Sequence, residues 1–317
     1  MSDRLSIIIP SHNRADLLGA CLAAVRRHAP AGAEVIVVDD ASPGGAVSRT
    51  AAAFPGVCVV RRDRRGGFCA AVNAGIASAT HPVVELLNDD VEVEAGWADA
   101  ALKWFAEPTV AAVAPLVLRR DDDRPCATAV SAVVGRSTTA DTAVAHPYID
   151  SAGDRYYLGG VAGKRGCGRP VGPEHLRPGF VFGASASSAF YRRDAVHLVG
   201  GFPEHFGAYF EDVDLSFRLN RAGFRVAYEP ASRVWHHVSA SYGRPAGALL
   251  EQQARNEERV FWRNLPGPAL ARALPLHLAV LAAKAWRRWR EGHLLPFLRG
   301  KLGVLCLLYT SDAADDL

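Results

Sequence analysis

The sequence lacks the cysteine patterns of zinc ribbons and of disulfide-stabilised domains. Its six cysteines are scattered along 317 residues, and no two of them form a CxxC pair. This spacing argues against a structural zinc site and against a disulfide framework, and it indicates a reducing compartment such as the cytosol. The chain also leads from MSDR directly into a strand-like segment, without the apolar core of a signal peptide.

Long apolar runs and basic tracts are missing as well. No uninterrupted run reaches the roughly 18 apolar residues that a spanning helix requires, so no such helix is predicted. The net charge of +3, without a Lys/Arg tract interleaved with aromatic residues, gives no indication of nucleic-acid binding. The remaining composition, 49% apolar and 22% charged, is that of an ordinary globular protein with one large core or two smaller ones.

Two common nucleotide-binding signatures are absent after the first strand-like segment. A dinucleotide-binding domain would carry GxGxxG there and a P-loop protein would carry GxxxxGK[ST], whereas the sequence reads PSHNRADLLG. A nucleotide site in this region would therefore be built from polar side chains and carboxylates rather than from a glycine-rich loop.

The first third of the chain alternates between strand-like and helix-like segments. Four short β-branched runs end in turn or acidic residues: LSIIIP (5–10), EVIVVDD (34–40), VCVVR (57–61) and VVELLNDD (83–90). Residues 14–28 and 68–79 lie between them and have helical patterns. This order predicts a parallel sheet whose strands are buried on both faces.

Polar residues follow three of these strands, and ligands of parallel sheets bind beyond the carboxyl ends of the strands. These residues are Ser11, His12, Asp39, Asp40, Asn88, Asp89 and Asp90. Clustered oxygen ligands suit a hard divalent cation that bridges phosphates. Any one of these acids alone is equally well explained as a turn former or helix cap, but three clusters at neighbouring strand ends favour a site.

Five collinear motifs carry a resemblance to a known family. SIIIPSHNR, VIVVDDAS, GGFCAAVNAGIASAT and LLNDDVEV occur in this order, followed by a segment that runs from GASASS (183–188) to RVWHH (233–237). Together they resemble the family-two inverting glycosyltransferases with the A-type fold, closest to the rhamnosyltransferase-like members. The resemblance covers about residues 5–241. It implies an α/β fold with a Rossmann-like, mostly parallel sheet flanked by helices and a C-terminal helical extension.

The resemblance also implies roles for the residues at the strand ends. Pro10, Ser11, His12 and Asp40 would hold the uracil or thymine ring and the ribose of a nucleotide-sugar, with Asp39 as the substitute for Asp40. Phe68 and Asn73 would shape the nucleotide pocket, although Asn73 could equally brace its helix. Asn88, Asp89 and Asp90 occupy the acidic motif. Asp90 and His236 would ligate Mg²⁺ or Mn²⁺ on the diphosphate, while His237 would point away because side chains alternate along a strand.

The acidic stretch YFEDVDLSFRL (209–219) supplies the expected catalytic residues. An inverting transfer needs a base for the acceptor hydroxyl and charge stabilisation on the leaving diphosphate. In the family's pattern Asp212 would be that base and Glu211 would orient acceptor hydroxyls. The flanking aromatic residues would exclude water and raise the pKa of Asp212. Asp214 is at least as well explained as a carboxylate favoured at a helix N-terminus. The sequence then predicts a helix over 215–222, a glycine turn and a strand over 224–228 that leads back to the site.

Four regions follow from the motifs and from changes in composition. Residues 1–118 form the predicted nucleotide-sugar-binding half, and residues 119–264 form the acceptor-binding and catalytic half, with an insertion loop at 119–179. Residues 265–305 are a helical segment whose Trp/Arg cluster (286–290) fits either a membrane surface or docking on protein. Residues 306–317 have the character of a disordered or artefactual tail. Lys164, Arg165 and Arg169 in the loop would meet a diphosphate or an acidic acceptor, or else be solvated charges.

The expected function is the metal-dependent transfer of a hexose or deoxyhexose from a UDP- or dTDP-sugar to a glycan or lipid-linked acceptor. Such an enzyme of cell-surface polysaccharide synthesis would act in the cytoplasm or at the inner face of the plasma membrane. The alternative is a catalytically inactive carbohydrate-binding or assembly module on the same fold. A nucleotidyltransferase is disfavoured because it would require a basic, glycine-rich loop after the first strand.

Overall fold

The structure is a computed structural model that describes residues 5–120, 147–237 and 247–309, with side chains described up to residue 304. The predicted tail is therefore covered only by the end of the last helix, and residues 310–317 lie outside the described part. The same holds for residues 121–146, which make up much of the predicted insertion loop.

The first third is a parallel α/β unit, as the sequence predicts. It comprises β1 (Leu5–Ser11), α1 (Ala15–His28), β2 (Glu34–Asp39), α2 (Ala46–Ala52), β3 (Val57–Arg61), α3 (Phe68–Ser78) and β4 (Val83–Leu87). These strands lie in the order β4-β1-β2-β3, and each neighbouring pair is parallel. In this register Ser11 lies beside Asp39, so the carboxyl ends of β1 and β2 meet at one edge.

Both faces of this sheet are buried, which explains the continuous apolar runs. Ile8 and Ile36 belong to the apolar cluster that includes Val72 of α3, whereas Ile7 and Val37 belong to the cluster on the opposite face. That second cluster includes the α1 residues Leu18, Cys21, Leu22 and Val25. Helices cover both sides, so alternation between apolar and polar residues is not needed along these strands.

The remaining strands extend the same sheet with mixed orientation. They are β5 (Val91–Val93), β6 (Val110–Arg119), β7 (Ile149–Ser151), β10 (Gly179–Val181), β11 (Ser188–Arg192) and β12 (Arg225–His236). The order continues β4-β11-β6-β12-β10, with β11 antiparallel to both of its neighbours and β6 parallel to β12. Helices α4 (Trp97–Leu102), α5 (Arg193–Leu198) and α6 (Glu211–Arg221) connect these strands.

The predicted insertion loop is not irregular throughout. Its described part contains β7 and a hairpin of β8 (Asp154–Tyr157) and β9 (Val161–Lys164). Strands of three or four residues are too short to leave a period in the sequence, so they were not predicted. The cysteines also differ from expectation: Cys21, Cys58 and Cys69 are free thiols, but Cys167 is disulfide-bonded.

Three helices follow the sheet: α7 (Gly247–Asn264), α8 (Gly267–Arg290) and α9 (Leu294–Tyr309). The C-terminal helical extension is thus confirmed, although α9 continues four residues past the predicted boundary at 305. Charged residues are buried between these helices. Lys301 Nζ lies 2.9 Å from both Glu257 Oε2 and Glu258 Oε2, and Lys284 also pairs with Glu257. A shared ionic interior makes the three helices one packed unit.

Candidate active site

The acidic motif after β4 is held by the last residue of β1 and by an arginine just beyond it. Ser11 Oγ donates a hydrogen bond to Asp89 Oδ2 at 2.7 Å. Arg14 Nη1 lies 3.1 Å from both Asp89 Oδ1 and Asp90 Oδ2. Burial raises the pKa of Asp89 to about 6, against the opposing effects of Ser11 and Arg14. Arg14 thus supplies positive charge to a pair of carboxylates where the predicted diphosphate site lies.

The two aspartates after β2 have different surroundings. Asp39 is fully buried and accepts hydrogen bonds from Ser42 N and Ser48 Oγ, while its Oδ2 also pairs with Arg61 at 2.6 Å. Asp40 pairs with Arg62 at 2.7 Å and accepts from the backbone of Gly66 and Gly67. Asp39 therefore braces the β2–β3 edge, whereas Asp40 orders the glycine-containing approach to α3.

Two further residues predicted to contact the nucleotide, His12 and Phe68, lie near Asp40, whereas Asn73 is engaged elsewhere. His12 Nδ1 lies 2.8 Å from Asp40 O, and Phe68 begins α3 directly after Gly67. Asn73 lies a turn further along α3, where its Nδ2 donates to Phe202 O at 2.8 Å and its Oδ1 accepts from Phe202 N at 2.9 Å. Both ends of the Asn73 amide are thus engaged in bracing, which is the alternative that the sequence left open.

His236 lies between two carboxylates. Strand β12 pairs with β5 so that His236 is opposite Val91, the residue after Asp90. The His236 Nε2 atom lies 3.2 Å from Asp90 Oδ1, and Nδ1 lies 3.1 Å from Asp150 Oδ2. Although burial alone lowers it, the two carboxylates raise the pKa of His236 to about 9.

Asp150 is held in turn by Lys164 from β9. Lys164 Nζ lies 2.7 Å from Asp150 Oδ2. Burial opposes ionisation of Asp150, but Lys164 and His236 hold its pKa well below the usual range. Lys164, Asp150, His236 and Asp90 thus form a row of alternating charges. Asp150 fixes the ring orientation of His236, so that Nε2 faces Asp90. Metal-binding histidines in proteins are commonly oriented by such a carboxylate.

The Asp90–His236 pair fits a divalent cation that also binds phosphate. Two ligand atoms at right angles on one ion stand about 3 Å apart when each bond is about 2.1 Å. The 3.2 Å separation of Nε2 and Oδ1 is close to that spacing. No group of three or more His, Cys, Asp or Glu side chains suited to a metal occurs in the described ranges. If a cation binds here, Asp90 and His236 would hold it from the protein side, and it would neutralise charge on the diphosphate.

The acidic stretch forms the first turn of α6, four residues earlier than the predicted helix start. Asp212 Oδ2 accepts from Ala186 N at 3.0 Å and Oδ1 accepts from Val213 N at 2.9 Å. Burial raises the pKa of Asp212. Burial and the neighbouring Asp212 raise the pKa of Glu211 well above its usual range, and Glu211 Oε2 has no hydrogen-bond partner among the described residues.

Asp212 and the acidic motif are linked through two consecutive residues. Ala186 N donates to Asp212, and the carbonyl of the next residue, Ser187, accepts from Asn88 N at 3.0 Å. Asp154, at the start of the β8–β9 hairpin, adds a buried carboxyl whose pKa is raised to about 8 by burial and by Asp212. The structure thus brings the predicted base, the acidic motif and His236 to one edge of the sheet.

Several nearby charges are structural. Asp214 is fully buried and accepts from Arg218 Nε and Asn264 Nδ2, each at 2.8 Å. His237 Nε2 lies 2.6 Å from Glu92 Oε1, while the backbone N of His237 donates to Asp90 O at 2.9 Å. Arg165 donates to the carbonyls of Ala152 and Glu174 rather than facing the site.

Sequence reasoning missed three residues of this site and left Lys164 open. Arg14 and Arg62 carry the positive charges at the strand ends, and Asp150 orients His236. Arg14 is the last residue of the SIIIPSHNR motif and Arg62 directly follows the VCVVR run, so their position offered a signal. Asp150 lies on a three-residue strand and contacts His236, which is 86 positions away, so no local pattern identifies it.

Similarity to known proteins identifies the family and the fold of the chain. Residues 6–153 match Glycosyl transferase family 2, and residues 175–298 match Glycosyl transferase family group 2. The chain belongs to the family-2 glycosyltransferases. Its similarity to the pre-mycofactocin glycosyltransferase of Mycobacterium tuberculosis is 33% identity over 235 residues, covering 73% of this chain but 42% of that protein. The chain therefore spans less than half of that relative.

A second curated relative and two solved structures extend the comparison. The N-acetylglucosaminyl-diphospho-decaprenol L-rhamnosyltransferase of M. tuberculosis is 28% identical over 267 residues, covering 79% of this chain and 81% of the relative. The mannosyltransferase PcManGT of Pyrobaculum calidifontis was solved with GDP-Man and Mn²⁺. Its superposition on this structure spans 99% of this chain and 83% of PcManGT, with a TM-score of 0.56 and 22% sequence identity. GalNAc-T7, solved with UDP, GalNAc and Mn²⁺, covers 83% of this chain and 51% of its own, with a TM-score of 0.59 and 17% identity. This glycosyltransferase has the A-type fold.

Proposed function

We propose that this glycosyltransferase moves a hexose or deoxyhexose from a UDP- or dTDP-sugar to a lipid-linked glycan, with inversion and with a divalent metal. The observation that carries the proposal is the convergence of Asp212, Asp90 and His236 at one sheet edge, linked through Ala186 and Ser187. A base and a metal-binding pair on the two sides of a shared site are what a single in-line displacement requires.

The donor would bind along the carboxyl ends of β1, β2 and β4. The nucleobase and the ribose of the donor would lie near His12, Asp40 and Phe68. Asp40 accepts hydrogen bonds from the backbone of Gly66 and Gly67 there and orders it. The diphosphate would lie near Arg14 and the acidic motif. A bound cation would stabilise the negative charge that develops on the leaving diphosphate. Arg14 contributes positive charge from the protein at the same edge.

The acceptor would enter from the side of α6. Asp212 is partly exposed at the start of the helix, whereas Glu211 is buried. The acceptor hydroxyl gives its proton to Asp212 as its oxygen bonds to the anomeric carbon and the bond to the diphosphate breaks. A raised pKa helps Asp212 to accept that proton near neutral pH. Glu211 would orient the acceptor from the same turn.

A lipid-linked acceptor is supported by a relative and by the surface of α8. The relative that is 28% identical is named as a rhamnosyltransferase acting on N-acetylglucosaminyl-diphospho-decaprenol. In this chain Trp286 and Trp289 are 61% and 59% exposed on α8, with ring centroids 5.1 Å apart. Exposed tryptophans beside arginines suit the headgroup region of a membrane. We propose that this face rests on the membrane that carries the acceptor.

The test measures transfer and nucleotide binding on the full chain. UDP-glucose, UDP-galactose, UDP-N-acetylglucosamine and dTDP-rhamnose would each be offered with a polyprenyl-diphosphate-linked sugar, with and without Mn²⁺. We expect metal-dependent release of UDP or dTDP and a glycosylated lipid with one of these donors. Calorimetry with UDP and dTDP would show tighter binding when Mn²⁺ is present. Glycan binding without transfer, together with metal-independent nucleotide binding, would instead identify a carbohydrate-binding or assembly module.

A further inference from the structure

The chain bends just before α6, in a segment of unusual backbone geometry. In residues 207–210, called the catalytic turn below, φ is +70° at Gly207, +71° at Tyr209 and +69° at Phe210. Left-handed backbone is favourable for glycine but costly for residues with a side chain, and two such residues in succession require support from outside the turn. The next two residues are Glu211 and Asp212.

Helix α7 supplies that support through two amide side chains. Asn256 Nδ2 lies within hydrogen-bond distance of Phe206 O (2.9 Å), Ala208 O (3.0 Å) and Tyr209 O (3.0 Å). Gln252 Nε2, one helical turn earlier, donates to Phe206 O at 2.9 Å and Ala208 O at 3.2 Å. Asn256 is fully buried, and only the nitrogen end of an amide can face three carbonyl oxygens.

The contact between α7 and the catalytic turn is close and is continued on both sides. A Cβ atom on Gly207 would come within 2.9 Å of Gln252 Nε2, so the glycine permits this approach. At the other end of α7, Asn264 Nδ2 donates to Asp214 Oδ1 of α6 at 2.8 Å. On the opposite side of the turn, Gly207 O accepts from Cys69 N of α3 at 3.1 Å.

We propose that Gln252 and Asn256 are positioning residues that set the direction in which α6 begins, and with it the position of Asp212 relative to the acceptor. The hydrogen bonds of both side chains go to residues 206–209 and not to the donor edge, where Ser11, Asp40 and Asp90 lie. Their effect on catalysis acts through the catalytic turn. The proposal rests on the proposed role of Asp212 as the base.

Two neighbouring glutamines provide a matched test. Gln252→Met removes the amide donors while keeping the length of the side chain, and Gln253→Met makes the same change one residue later. The side chain of Gln253 has no hydrogen bond to any residue that the structure describes, whereas Gln252 Nε2 donates to Ala208 O in the turn and to Phe206 O just before it. We expect Gln252→Met to lower kcat by roughly tenfold or more, since a displacement of the order of an ångström is enough to impair transfer. The Kd for UDP with Mn²⁺ should stay within about twofold of wild type, and Gln253→Met should match wild type in both.

Hydrogen–deuterium exchange gives a second readout that does not depend on activity. Amides in residues 205–213 should exchange faster in Gln252→Met than in Gln253→Met, while residues 15–28 should be unchanged. Asn256→Leu should have the larger effect; because it is fully buried it also risks unfolding, so the decision rests on the two glutamine variants. Equal exchange in these two variants, or faster exchange with unchanged kcat, would overturn the positioning role. Absence of transfer by the wild-type chain with every donor would overturn the proposed function instead, and the exchange comparison would still show whether α7 holds the turn.

Discussion

Asp212 is the residue on which the proposed reaction depends most directly. Asp212→Asn keeps the shape of the side chain and one acceptor oxygen, so it can retain one of the two backbone hydrogen bonds, from Ala186 N or from Val213 N. It removes the proton acceptor, and kcat should fall by roughly a hundredfold or more while donor binding is retained. In the wild type, kcat should decline on the acid side at a pH above the usual aspartate range, because the base must be ionised and burial raises its pKa.

The comparison variant for Asp212 is Glu211→Gln in the same helical turn. It should raise KM for the acceptor more than it lowers kcat, since Glu211 is assigned to orientation. Steady-state kinetics of both variants, with calorimetry for UDP, make the measurement. If Asp212→Asn turns over at the wild-type rate and Glu211→Gln does not, the base is Glu211.

Two adjacent histidines allow the metal proposal to be tested residue by residue. His236→Ala and Asp90→Ala should each weaken Mn²⁺-dependent UDP binding, because both atoms of the 3.2 Å pair are proposed ligands. His237→Ala is the control, since that ring contacts Glu92 instead. Asp150→Asn should weaken Mn²⁺ binding roughly ten- to a hundredfold through the lost orientation of His236.

Calorimetric titration of UDP with and without Mn²⁺ measures these effects, and EDTA should abolish turnover reversibly. Full activity in EDTA, or equal effects of His236→Ala and His237→Ala, would rule out the proposed metal pair and leave Asp90 as the partner of Arg14.

At the scale of elements, the sequence was most informative where strands are buried on both faces. The runs that form β1, β2, β3 and β4 were predicted to within a few residues, because continuous apolar segments bounded by acids leave few alternatives. The start of α6 was placed four residues late, at Leu215 instead of Glu211. The acidic residues of its first turn were assigned to catalysis and left outside the predicted helix. Carboxylates are also favoured at a helix N-terminus, so they can serve both purposes.

Strand β12 and the β8–β9 hairpin show why the rest could not be predicted. The predicted strand at 224–228 is the first part of β12, which continues through a register shift between Glu229 and Arg233 to His236. The β8–β9 hairpin is held in place by tertiary contacts at its base and at its tip. Lys164 binds Asp150 at one end, and Gly159 O lies 2.9 Å from His277 Nδ1 of α8 at the tip. No local pattern records such contacts.

At the scale of the whole molecule, the C-terminal helices are tied to the catalytic region by buried polar contacts. His277 is 1% exposed and its Nε2 lies 2.9 Å from Glu258 Oε1. Removing α8 and α9 would strip Lys284 and Lys301 from Glu257 and expose the face of α7 that packs against α9. A truncation after Asn264 would therefore disturb α7, so surface substitutions are the cleaner test of membrane contact.

The outer face of α8 carries the exposed tryptophans, whereas its inner face packs against protein. Substitutions on the outer face can therefore test membrane contact. Among the described helices, α8 with its 24 residues is the one that is long and apolar enough to cross a membrane by length and composition, yet Ala273 and His277 are buried against protein. Lys284 also faces inward. Arg287 and Arg288 bind Glu291 at 2.7 and 2.8 Å, which offsets part of their charge. The exposed tryptophans should consequently contribute more to membrane binding than the arginines do.

The double variant Trp286→Ser/Trp289→Ser should release the protein from vesicles while leaving UDP binding unchanged, because both rings project from the structure. Co-sedimentation with phosphatidylglycerol vesicles and with phosphatidylcholine vesicles measures the bound fraction. Leu198→Ser is the control, since Leu198 is an apolar residue on α5 that is 72% exposed. We expect a large loss of binding for the tryptophan variant, none for Leu198→Ser, and only a modest preference for the anionic lipid. If wild type and the double variant pellet equally, or if neither pellets, then the outer face of α8 contacts protein rather than lipid.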